Sequence, residues 1–160
     1  KKLKNQRINQ RMKAFVPFYT YFPEIADKET KVVQILKSGL DTPPIGAYAI
    51  VESFCDDRKC DCRKVMFNVI AINQPEKFLA TIGFGWESIS FYTAWACGDQ
   101  ELAKQMVGTY LEPLCIQSKY SEYFCGLIAD MVKEESFKSR ILLHYQLFRD
   151  IKQPKQNQHE

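Results

Sequence analysis

Residues 47–72 read AYAIVESFCDDRKCDCRKVMFNVIAI. The outer runs, Ala47–Phe54 and Arg63–Ile72, are dense in β-branched and aromatic residues, which suit a pleated, half-buried surface. The run between them is polar and suits an exposed tip, so the pair predicts an antiparallel hairpin. A third run of the same kind, Phe78–Phe84, follows Gln74-Pro75-Glu76-Lys77, which has turn composition. Three such runs with short connections predict a three-stranded antiparallel meander. Gly83 and Gly85 read as a bend or bulge that closes the third strand.

Outward from the meander the pattern turns helical. Towards the N-terminus, Asp27 is positioned to cap a helix through about Lys37, with Val32, Val33, Ile35 and Leu36 as a buried stripe and Gly39 as its end. Phe15, Phe18, Tyr19, Tyr21 and Phe22 form an aromatic cluster before it. Past Trp86, Ser88 and Asp99 are candidate caps of two short helices, the second running to Gly108. Tyr110–Gln117, interrupted by Pro113, reads as a connector. A helix from Ser118 or Ser121 carries Phe124, Leu127, Ile128 and Met131 on one side. A last helix, about Ser136 to Lys152, aligns Phe137, Ile141, His144, Phe148 and Ile151 at four- and three-residue steps. The expectation is one α+β domain over residues 14–152, with the meander packed against N- and C-terminal helices. Residues 1–13 are then a basic arm and 153–160 a disordered polar tail.

The polar tip holds the chemistry. Cys55 ends the first strand, and Cys60 and Cys62 stand just before the second, so hairpin pairing draws three thiols towards one point. Free cysteine ordinarily packs as a small hydrophobe, yet Cys60 and Cys62 lie among Asp, Arg and Lys. Zinc takes thiolate and imidazole ligands in a tetrahedron, and Arg58, Lys59, Arg63 and Lys64 favour ionised thiols nearby. The spacing C-x4-C-x-C therefore reads as a metal site, with a redox pair or a Cys55–Cys62 disulfide as the other reading. A fourth ligand is needed. His144, inward on the last helix, is the expected fourth ligand, with Asp57, Cys97, Cys115 and Cys125 as the other candidates. The competing reading of His144 is a hydrogen-bonded core histidine. Cys97 and Cys125 read as core residues.

The run FCDDRKCDCRKVMFNVI (54–70), with TIGFGWES (81–88) and LEPLCIQSKYS (111–121), resembles a group of uncharacterised bacterial proteins with an FCxxxxCDCR(R/K)V hairpin. The resemblance covers about residues 46–148 and is most specific at the cysteines. It implies a genuine site and no particular activity.

Bulk composition sets the remaining bounds. With 160 residues, 46% apolar and 26% charged, the chain has the make-up of a globular domain. The formal charge of +3 is uneven: Lys1, Lys2, Lys4, Arg7, Arg11 and Lys13 precede any acid. Without those six, 16 of the 22 basic residues face 19 acids, leaving a mildly acidic body. The arm is a candidate contact for phosphates, where Lys and Arg release counterions. No run has the roughly 18 apolar residues of a membrane span, and the N-terminus lacks a signal-like apolar region, so the expected location is the cytoplasm. Gly83-Phe84-Gly85 lacks the third glycine and the lysine of a nucleotide loop. Glu52, Asp56, Asp57 and Glu87 are read as surface and turn acids ahead of a catalytic pair. The leading expectation is a non-enzymatic, zinc-stabilised module that binds protein or nucleic acid, its ion fully surrounded by protein ligands. The competing one is a metal- or thiol-dependent enzyme using Cys55, Cys60 and Cys62, which needs an open metal position or a reactive thiol in a cleft.

Overall fold

The computed structural model describes residues 15–152, so the basic arm and the polar tail lie outside the described residues. The elements run β1 (Phe15–Pro17), a 3-10 turn (Phe18–Thr20), α1 (Pro23–Glu29), β2 (Lys31–Ile35), β3 (Gly46–Cys55), β4 (Lys64–Ala71) and β5 (Gln74–Gly85). They continue with α2 (Ile89–Trp95), α3 (Gln100–Lys104), β6 (Gly108–Leu111), α4 (Ser121–Met131) and α5 (Glu135–Lys152). This is a mixed α+β fold in which the expected meander, β3-β4-β5, forms the middle of a six-stranded antiparallel sheet. β6 continues the sheet beyond β5. β1 and β2 share the other side of β3, β2 on its first half and β1 on its last three residues.

Four local expectations differ from the structure. The helix expected from Asp27 to Lys37 is instead α1, begun by Pro23 at its first turn, followed at once by strand β2. The stripe Val32, Val33, Ile35 is β-branched, and it gains a full ladder against Gly46–Ile50 that a helix there would forgo. The connector expected at Tyr110–Gln117 overlaps β6, which pairs with Ile82–Gly85. The β4–β5 turn is Ile72-Asn73, so Gln74-Pro75-Glu76-Lys77 belongs to the strand that follows. Ser88 and Asp99 cap α2 and α3, each accepting a backbone N–H three residues on, although α3 ends at Lys104, short of Gly108.

Alternation along the strands sorts the two faces of the sheet. Tyr48, Ile50 and Phe54 of β3, Val65, Phe67 and Val69 of β4, and Ala80, Ile82 and Phe84 of β5 share one buried core. Phe124, Ile128 and Met131 of α4 and Phe137, Ile141, Tyr145 and Phe148 of α5 complete it. Glu52 sits in the same row, directly paired with Phe67.

On the opposite face Lys64 is buried, its Nζ 2.6 Å from both Tyr110 Oη and Glu112 Oε1. The two glycines of β5 make room there. A Cβ on Gly83 would lie 2.5 Å from Glu112 and Tyr110, and one on Gly85 only 1.9 Å from the Met106 carbonyl oxygen. Gly83-Phe84-Gly85 therefore lets neighbouring groups lie flat on the sheet.

Candidate metal centre

β3 ends on Cys55 and β4 begins on Lys64, and the segment between them carries the other two thiols. The sulfurs of Cys55, Cys60 and Cys62 all lie within 4.8 Å of one another. Cys55 and Cys62 are buried and Cys60 is partly exposed. All six cysteines are free, so Cys55 and Cys62 are not bridged. Three thiols this close can bind a metal ion.

The thiols interact even without one. Hydrogen bonds from Cys55 and then Cys62 hold the Cys60 thiol far below its ordinary value, at about 3, against the pull of burial; the Trp95 indole N–H adds to them. Donating to Cys60 pushes Cys55 up, while Cys62 is pushed up by donating to Cys55 and Cys60 and by its burial. Ionising one sulfur of the trio is thus favoured by the other two and resisted in its neighbours. A cation replacing those shared protons satisfies all three.

The hairpin tip is tied to the rest of the fold through Asp61 and Arg63. Asp61 accepts from Tyr145 Oη at 2.6 Å and from Arg63 Nε at 3.1 Å, and pairs with Arg149 Nη1. Burial opposes ionisation of Asp61, but the donors Tyr145, Arg149 and Arg63 win and hold its carboxyl below the usual range. Arg63 has φ 46°, a left-handed conformation unusual for its type. Its backbone is gripped from two helices: its N–H donates to Tyr145 Oη at 3.1 Å and its carbonyl accepts from Tyr92 Oη at 2.7 Å. Its guanidinium lies over the Phe91 ring and reaches Glu87 at 3.2 Å. α2 and α5 thereby hold the chain on both sides of Cys62.

His144, the expected fourth ligand, stands outside this group. It is 1% exposed, stacked on Phe18 with centroids 4.2 Å apart, and both ring nitrogens face carboxylates. Nδ1 is 3.0 Å from Glu52 Oε1 and Nε2 is 2.5 Å from Glu29 Oε2. Burial works against charge on this imidazole, but Glu52 and Glu29 outweigh it and raise its pKa above the ordinary value. The arrangement is that of a satisfied core histidine, and it explains how Glu52 is tolerated in an apolar row. Glu52 is accordingly no surface acid.

The other candidates are equally placed. Cys97 is exposed and not a core residue, Cys125 and Cys115 are half-buried, and Asp57 accepts from the Lys59 backbone N–H at 2.9 Å. Asp61, Tyr145, Arg149 and Trp95 are the site residues that sequence reasoning missed. Only Asp61 carried a local signal, its position between two cysteines.

No family model, curated protein or solved structure matches this chain. Among the described residues no helix is long and apolar enough to cross a membrane.

Proposed function

We propose that this protein is a metal-binding interaction module whose Cys55, Cys60 and Cys62 hold a zinc ion at the hairpin tip. The observation that carries the reading is the approach of three sulfurs to within 4.8 Å of one another without a disulfide. Zinc suits an all-thiolate donor set and contributes binding energy directly to the folded state. Bound there, it fixes the segment that Tyr145, Arg149 and Tyr92 grip, and it presents the exposed Arg58 and Lys59 in a set geometry.

Arg58 and Lys59, with the basic arm 1–13, suit an anionic partner, and nucleic acid is the class proposed. The test is binding of DNA and RNA against salt, with and without residues 1–13 and with and without chelator. A salt slope that neither the arm nor the metal alters removes the nucleic-acid assignment.

A second reading, a metal- or thiol-dependent enzyme, has one observation in its favour. Three protein ligands, not four, is the pattern of zinc sites that keep a position for water or substrate.

A further inference from the structure

We propose that the ion held by Cys55, Cys60 and Cys62 takes its fourth donor from another molecule, and that this donor is a thiolate. The inference rests on the metal reading above and names what that site recruits.

Zinc is almost always four-coordinate with donors of this kind. Among the described residues, no fourth cysteine, histidine or carboxylate joins the three sulfurs within 4.8 Å of all of them. Two further candidates, one between Cys60 and Cys62 in the chain and one on the last helix, are already engaged. Asp61 is held by Tyr145, Arg63 and Arg149, and both nitrogens of His144 are held by Glu52 and Glu29.

Burial gives the direction of approach. Cys55 and Cys62 are 4% and 3% exposed, so their sulfurs back onto the protein, whereas Cys60 reaches the surface. An ion resting on this trio turns its remaining side outward past Cys60. There the half-buried Trp95, whose N–H is already spent on Cys60, offers an apolar wall.

Charge and softness select the ligand. Thiolate donors suit the same borderline-soft ions that the three cysteines do. Three thiolates and a divalent ion carry a net charge of about −1, and a fourth thiolate makes it about −2. The exposed Arg58 and Lys59, on the loop joining Cys55 to Cys60, supply compensating positive field. The bond formed is sulfur to metal, with the thiol proton released to solvent and water displaced, so no oxidant is involved.

The source is either a small thiol or a cysteine of another protein. Protein loaded with Co(II) in place of zinc separates these outcomes, because sulfur-to-cobalt charge-transfer absorption counts thiolates. The expected starting spectrum is that of three thiolates, rising by about a third on saturation as a fourth joins. 2-Mercaptoethanol and an unstructured cysteine-containing peptide are titrated separately, with imidazole as the comparison; the tighter of the two thiols identifies the source. Asp57→Asn, Cys97→Ser and His159→Ala are expected to leave the starting spectrum unchanged. A spectrum unmoved by either thiol, or one that any of those substitutions alters, overturns the inference while leaving the metal site standing. Failure to bind cobalt at all overturns the metal reading together with it.

Discussion

Tyr145 donates its hydroxyl proton to Asp61 at 2.6 Å, across 84 residues of chain, and so docks the cysteine hairpin on the last helix. The same oxygen accepts the Arg63 backbone N–H at 3.1 Å. Removing it leaves that N–H without its partner and takes one of three donors from Asp61. Tyr145→Phe is expected to cost about 1–2 kcal/mol in urea denaturation, since the bond is to a charged but partly exposed acceptor. It should also weaken metal affinity, because the segment holding Cys62 is no longer pinned. Unchanged affinity would separate the hairpin's docking from its chemistry.

The imidazole of His144 bridges Glu52 of β3 and Glu29 of α1, and its pKa lies above the unfolded value. A raised pKa means that the folded state binds the proton more tightly. The stabilisation is therefore complete below the unfolded pKa of about 6.5 and is lost as pH rises through the folded value. Denaturation midpoints measured from about pH 6 to pH 9 should fall with pH in the wild type. In His144→Gln the fall should be smaller, with the difference between the two proteins confined to that window.

Gly85 tolerates no side chain. Its Cβ would meet the Met106 carbonyl oxygen at 1.9 Å, and that backbone cannot yield without moving β6. Gly85→Ala is expected to lose about 3 kcal/mol or more, or to fail to fold. At Gly83 the atoms in the way belong to side chains, Tyr110 and Glu112, so Gly83→Ala should cost less. Thermal melts of both variants rank them; the opposite order would contradict the packing described.

Lys64 and Glu112 form a buried ion pair at 2.6 Å, each side chain 10% exposed. Burial opposes the charge on Lys64, but Tyr110 and Glu112 outweigh it and raise its pKa. Lys64→Ala strands a buried carboxylate and is expected to cost about 3–5 kcal/mol. The double variant Lys64→Met, Glu112→Leu removes both charges and should recover most of that loss. A double variant no more stable than the single one would mean that the ion pair itself, and not the stranded charge, carries the loss.

How far the sequence carried these features depends on how local their causes are. The β3–β4 hairpin was legible because both strands have their own composition and a polar tip sets their pairing. The caps at Ser88 and Asp99 were legible for the same reason, each bond spanning three residues. β2 was misread because Val32, Val33 and Ile35 fit a helical stripe as well as a strand; only the partner, Gly46–Ile50, decides between them. β6 is four residues long and gains its identity from β5. At the candidate site, the three cysteines meet across a short loop and could be foreseen. The partners of His144 lie 92 and 115 residues away, and no local pattern distinguishes an inward histidine that binds carboxylates from one that binds a metal. Tyr145 and Arg149 have no local signature either, since Asp61 reaches them only through the tertiary fold.

On the metal reading, an ion draws Cys55, Cys60 and Cys62 together. Elemental analysis of the purified protein, paired with the same analysis of Cys60→Ser, is the decisive experiment. The expected result is about one equivalent of zinc per chain in the wild type and almost none in the variant. Metal-free wild-type protein with all six thiols open to titration, or a metal content that Cys60→Ser leaves unchanged, would contradict it.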